Sequence, residues 1–130
     1  MALIRRGIHR LGYAWIAVKD SRLLKTREFY TNEMGLLETG IEPNRVTFRC
    51  WHEPYKFSFV VDHSDTPGLV EIGFHVRDGI DLENFHRKLE AAGVAVQAAE
   101  ADSVLKGIGK SIAFNVPAGP RIRLFADMHQ

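Results

Sequence analysis

The sequence predicts an α+β fold: two βαβββ modules forming one eight-stranded, cleft-shaped mixed sheet with helices on the outer face. Three observations carry that prediction. The stretch Leu69–Gly93, LVEIGFHVRDGIDLENFHRKLEAAG, reads as buried strand, turn, amphipathic helix and glycine stop. The same order occurs earlier in Leu11–Gly35, LGYAWIAVKDSRLLKTREFYTNEMG, and the two copies align without a gap at an offset of 58 (Leu11 on Leu69). Tyr13 falls on Glu71, Asp20 on Asp78 and Gly35 on Gly93. The segments that follow align at an offset of 66, with Phe48 on Phe114 and Phe59 on Phe125. Such a period is the signature of a repeated supersecondary unit. One domain, 1–130, is therefore expected, built from repeats 11–62 and 69–127.

Met1–Arg10 reads as a lead-in arm. Leu11–Val18 is the first strand, with Ile16 and Val18 on one face and Tyr13, Trp15 and Ala17 on the other. Asp20 or Ser21 is placed to accept from the free N–H groups of the next helix. Leu23, Leu24, Arg27, Phe29, Tyr30 and Met34 form its stripe, and Gly35 supplies a left-handed stop. Three strands follow, Leu36–Thr39, Arg45–Trp51 and Tyr55–Val61, separated by Gly40, Pro43-Asn44 and Pro54. In the second half, Leu69–Val76 is a strand. Ile80–Ala92 is a helix with Ile80, Leu82, Phe85, Leu89 and Ala92 facing the core. Val94–Gln97, Lys110–Val116 and Arg121–Ala126 are strands, and Ala98–Gly109 is a longer loop than its counterpart.

Composition narrows the function classes. A net charge of +1 gives no electrostatic case for nucleic acid or a membrane surface. No apolar run approaches the roughly 20 residues of a spanning helix. The N-terminus, MALIRRGIHR, is basic but lacks the apolar stretch of a signal peptide. The one cysteine, Cys50, cannot form an internal disulfide, which suits a cytoplasmic setting.

With helices on one face, the concave face is where a ligand would go. Alternation assigns Tyr13 and Trp15 to it from strand one and Tyr55, Phe57 and Phe59 from strand four. Strand five adds Glu71 and His75; strand eight adds Arg121, Arg123 and Phe125. This aromatic wall with a carboxylate, an imidazole and two guanidiniums could hold a flat aromatic ligand bearing an acid group. Alternatively, the aromatics are core beneath a second domain or subunit. Glu71 and Arg123 sit at equivalent depth and are expected to form a salt bridge. Of the six histidines only His75 lies on a site-facing strand position, where a structural role is the simpler reading. His86 lies on the polar flank of the second helix; His9, His52, His63 and His129 fall in loops or ends. No two histidines have helical metal spacing, and no Cys-x-x-Cys occurs. Ser58, Ser111 and Cys50 lack a nucleophile context. Pro117-Ala118-Gly119-Pro120 reads as a turn rather than a phosphate loop.

The doubled βαβββ order with GYAWIAVKD, FYTNEMGLLETG, FHVRD and SIAFNVPAGPRIRLFAD resembles the vicinal oxygen chelate superfamily. That group includes glyoxalase I, bleomycin-resistance proteins and extradiol ring-cleaving dioxygenases. The N-terminal half of catechol 2,3-dioxygenases is the more similar, through the FY-x5-GL helix end, the RVTFRCWHEPYKFSFVV hairpin, DTPG-x4-GF and GKSIAFNVPAGP-x-IRLFAD. The resemblance spans about Leu11–Asp127. It implies metal-ligand positions in strands one, four, five and eight, here Tyr13, Phe57, Glu71 and Arg123. The usual occupants are His or Glu, and a non-haem iron centre needs two histidines and a carboxylate. Only Glu71 is a good ligand; Tyr13 is a poor one, Phe57 cannot ligate and Arg123 repels a cation. The resemblance thus implies a non-catalytic N-terminal module without cofactor, iron(II) sitting in a second module, and a chain that stops at Asp127-Met128-His129-Gln130 where the first module ends.

Two other readings stand beside this one. A free-standing protein of the bleomycin-resistance kind would dimerise and bind a small aromatic ligand, without metal, in the groove between subunits. A free-standing metalloenzyme would need ligands that these positions do not supply. Homo-oligomerisation or a second module of the same kind is the expected partnership.

Overall fold

The computed structural model describes residues 8–51 and 55–128. Its strands are β1 (Ile8–Val18), β2 (Leu37–Glu42), β3 (Arg45–Arg49), β4 (Phe59–His63), β5 (Gly68–Val76), β6 (Gln97–Ala99), β7 (Ser111–Asn115) and β8 (Arg121–Phe125). Helix α1 (Leu24–Glu28) runs into a π turn, Phe29–Glu33; α2 is Gly79–Ala91. The strands form one eight-stranded sheet in the order β2-β3-β4-β1-β5-β8-β7-β6. β1 pairs in parallel with β4, whereas β2–β3, β3–β4, β6–β7 and β7–β8 are antiparallel, so the sheet is mixed as expected. Each βαβββ copy contributes its strands in the same internal sequence, first, fourth, third, second, read outward from β1 and from β5. Among the described residues no helix is long and apolar enough to cross a membrane.

The chain divides into two compact units. One is Tyr13–Glu71; the other takes the chain up to Gly12 and from Ile72 onward. In the first, Leu23, Val46, Phe48 and Val61 form the core, with Ile16, Val18, Tyr30, Leu36 and Phe59 packed on it. Alternation in β1 therefore sends Ile16 and Val18 to the helix side, as the pattern predicts. In the second unit Val76, Ile112 and Leu124 are central, surrounded by Phe74, Leu82, Phe85, Leu89, Phe114 and Ile122.

The helix ends follow the sequence signals. Asp78 caps α2 by accepting from the Asp81 backbone N–H at 2.9 Å. In the first copy the N-terminal residue Leu23 has no side-chain cap, and the Asp20 carboxylate takes the Thr26 N–H at 2.7 Å instead. That bond holds the Asp20 carboxyl below its usual pKa. Gly35 (φ 74) and Gly93 (φ 82) adopt the left-handed stop.

Several boundaries and faces differ from expectation. β1 begins at Ile8, so the arm Met1–Arg10 is partly strand and His9 lies on it; His63 likewise ends β4. β2 runs to Glu42 past Gly40 through a bulge, and β6 lies at Gln97–Ala99 rather than Val94–Gln97. β3 stops at Arg49, with Trp51 in a turn. In the first helix Leu23 and Tyr30 reach the core, while Leu24, Phe29 and Met34 are exposed. The π turn widens the spacing after Phe29, with Met34 N–H bonded to the Phe29 carbonyl five residues back, and so takes Met34 off the stripe. Ile80 and Ala92 are exposed at the ends of α2, and Leu82, Phe85 and Leu89 carry its packing.

The largest correction concerns the fourth strand. β4 starts at Phe59, not Tyr55, and the chain before it is irregular. Ser58 still bonds on both sides, donating to the Phe48 carbonyl at 2.8 Å and accepting from the Ala14 N–H at 3.2 Å. The bend there interrupts the two-residue period. Phe59 consequently joins the helix-side core, packed against Tyr30 and Phe48, and is no part of the opposite wall. Phe57, two residues earlier, remains on the Tyr13 side. Tyr55 lies in the bend, and His52 and His129 fall outside the described residues.

Candidate functional site

In the unit Tyr13–Glu71, β1 and β5 each deliver one inward polar side chain. Glu71 is fully buried, at 0% exposure, and its carboxylate accepts a short hydrogen bond from the Tyr13 hydroxyl. Phe57 is buried against the phenol, with ring centroids 5.7 Å apart. Trp15 follows Tyr13 by one period on the same face and is also buried.

Arg45 covers Trp15, its guanidinium carbon 4.7 Å from the indole centroid. The position is dictated by β3: Val46 and Phe48 point to the helix core, so Arg45 and Thr47 must take the other face. Asp62, its register partner on β4, holds Arg45 in a two-pronged ion pair at 2.6 and 3.0 Å. That pair raises the Arg45 pKa above its ordinary value, and Glu42 and Glu71 add to the effect. Arg45 and Asp62 were not among the expected site residues, although alternation within RVTFR could have found the arginine.

In the other unit Arg123 is buried on β8 and donates from Nη1 to the Ser111 hydroxyl at 2.8 Å. Ser111 is two residues from Ala113, the register partner of Arg123, and so shares its face. The serine thus serves Arg123 rather than chemistry of its own. His75 is buried, stacked on Phe125 at 5.1 Å, and donates from Nε2 to the Ala126 carbonyl at 2.5 Å. Its environment accords with a structural histidine. His9 meets its edge at 5.9 Å. Gly12 is required here: a Cβ at this position would lie 2.4 Å from the Phe125 ring. Arg121 is half-buried at the start of β8.

The sequence expectation paired Glu71 with Arg123. Within their own units Glu71 has the Tyr13 hydroxyl and Arg123 has the Ser111 hydroxyl. Taken singly, Tyr13, Phe57 and Arg123 do not suit a divalent metal. Phe57 has no donor atom, Arg123 is itself a cation, and the Tyr13 hydroxyl is committed to Glu71. Among the described residues no group of three or more His, Cys, Asp or Glu could hold a metal ion.

Residues 71–129 match the family model of the catechol 2,3-dioxygenase-like N-terminal domain. Metapyrocatechase of Pseudomonas sp. (strain CF600) is 31% identical over 125 residues, covering 95% of this chain and 40% of the relative. Biphenyl-2,3-diol 1,2-dioxygenase of Paraburkholderia xenovorans (strain LB400) is 29% identical, covering 91% of this chain and 39% of that protein. The 2,3-dioxygenase LapB from Pseudomonas sp. KL28 superposes with a TM-score of 0.87 at 33% identity, over 95% of this chain and 42% of that one. The chain therefore spans about two fifths of the length of the relatives it matches. Its doubled βαβββ sheet is that of the vicinal oxygen chelate fold, and in these matched residues the chain is similar to the N-terminal domain of the extradiol dioxygenases.

Proposed function

We propose that this chain is the non-catalytic N-terminal module of an extradiol ring-cleaving dioxygenase of the catechol 2,3-dioxygenase kind, acting in aromatic-compound degradation in the cytoplasm. In this reading repeats 11–62 and 69–127 make one module, and a second module of the same kind holds iron(II) and cleaves the ring. The observation that carries the reading is the set of side chains at the four ligand positions. A phenol bonded to a carboxylate, a phenyl ring and a guanidinium are groups that satisfy one another or pack, and they leave a metal no donor set. The matched relatives, more than twice as long as this chain, support a partner module. Exposed Phe29, Met34 and Trp51 suit a chain that docks against another surface.

The test is the native polypeptide from its source cell, with its mass, metal content and catechol ring cleavage measured together. The expected result is a chain much longer than 130 residues, active, with its iron in the part beyond this module. The isolated chain supplied with iron(II) is expected to cleave no catechol. Arg123→Glu alone is expected to take up no iron, because Phe57 still lacks a donor and Tyr13 still occupies Glu71. Stoichiometric iron and ring cleavage in the isolated chain would overturn the proposal. So would a native mass equal to this chain's, with melting temperature raised by catecholic acids, the behaviour of a free-standing binding protein.

A further inference from the structure

At the end of the first helical stretch three large apolar side chains stand in solvent. Phe29, Met34 and Trp51 are between 49% and 71% exposed. Backbone bonds make them neighbours: the Met34 N–H donates to the Phe29 carbonyl, and the Trp51 indole N–H donates at 3.0 Å to the carbonyl of Gly35, next to Met34. A tryptophan so held has little freedom left to lose when it is covered, and Trp, Phe and Met are residues that interfaces favour. Glu28 and Glu33 adjoin Phe29 and Met34 in sequence, are exposed, and have no ion pair among the described residues. Glu33 closes the π turn, the end where a helix dipole disfavours an anion. Helix α2 carries the opposite surface. Ile80 is 60% exposed, and Asn84 and Arg87 follow it at i+4 and i+7 along the same face, Arg87 donating to Asn84. Arg77 is exposed just before the Asp78 cap, the end where the dipole disfavours a cation. Neither arginine has an ion pair among the described residues. Local helix energetics do not account for Glu33 or Arg77; a contact that brings the two surfaces together does.

We propose that the chain associates with a second copy of itself, the Phe29, Met34 and Trp51 patch of one copy covering the Ile80 face of α2 in the other, with Glu28 and Glu33 set against Arg77 and Arg87. Charge complementarity selects this occupant. Patch against patch would set carboxylates against carboxylates, whereas α2 of a second copy brings the opposite sign and an aliphatic side chain to bury. The contact is heterologous, joining two different surfaces of the same chain. It is independent of the dioxygenase reading, because it uses only surfaces of this chain. The experiment is sedimentation equilibrium from low to high micromolar protein, at low and high salt. The average mass of the wild type should rise with concentration, and less so in high salt. Trp51→Ala should weaken the association about tenfold or more. Glu28→Lys with Glu33→Lys, and separately Arg77→Glu with Arg87→Glu, should each leave a monomer where the wild type associates. An equimolar mixture of those two variants should associate again, because each then meets the opposite sign. All five positions are exposed, and a melt of each variant confirms that it is folded. A wild type that keeps the monomer mass throughout would overturn the proposal and leave the patch to a different molecule. So would an arginine-reversed variant that associates like the wild type, or a mixture that stays monomeric.

Discussion

After β1 the chain makes five residues of α-helix and then a π turn; after β5 it makes thirteen residues of unbroken α-helix. The ends of the two stretches nevertheless correspond. Each opens with an aspartate that accepts a first-turn N–H, Asp20 from Thr26 and Asp78 from Asp81. Each closes on a glycine at positive φ, Gly35 and Gly93. What differs is how the apolar side chain near the start reaches the core. Leu23 does so by taking a left-handed backbone, φ 58, which is unfavourable for a bulky residue. Its complete burial with Val46, Phe48 and Val61 offsets that cost. Leu82 packs its core from an ordinary helical position. The ends therefore locate each helix against its strands, and the interior is free to be α or π.

This contrast can be broken most directly at the two leucines. Leu23→Ala should cost about 3 kcal/mol or more, in the range of fully buried leucines, and Leu82→Ala clearly less, because Leu82 is only half-buried. Urea denaturation measures both, and equal costs would show that the strained entry carries no special packing. The stops should behave alike. Gly35→Ala and Gly93→Ala should each cost about 1 kcal/mol, for backbone conformation alone, since a Cβ at either position meets nothing. Unequal losses would separate the two ends that look equivalent. The caps give the smallest effects. Asp78→Ala should cost about 1 kcal/mol. Asp20 has a depressed folded-state pKa, so its contribution is present above the unfolded value and is lost as the pH falls through the folded one. Asp20→Asn should accordingly flatten the loss of stability below about pH 4, seen by following Tm against pH.

Much of this architecture was legible because local signals agreed with the global pattern. The Asp turn, the Gly stop and the alternation in β1, β5 and β8 each placed the right residues on the right face, and Tyr13, Glu71, His75 and Arg123 are buried as a result. Legibility failed where the period changed without a marker in the sequence. At Ser58 a bend shifts the parity, so Phe57 and Phe59, two residues apart, end on opposite faces. In the first helix one wider turn takes Met34 off the apolar stripe. Three further contacts were not read from the sequence: the Tyr13 phenol on Glu71, Arg123 on Ser111 and Arg45 over Trp15 depend on side-chain reach across strands, which strand period does not encode.

The two tryptophans bring a practical consequence. Trp15 is buried beneath a guanidinium, whereas Trp51 is 71% exposed with its indole N–H on the Gly35 carbonyl. Their fluorescence should differ in colour and in access to a soluble quencher, with Trp51 emitting to the red and yielding to acrylamide first. Replacing Trp51 with Phe would leave a single emitter inside the Tyr13–Glu71 unit. The protein would then report the opening of that unit with light from its own side chain, one residue's breadth from the Tyr13 bond.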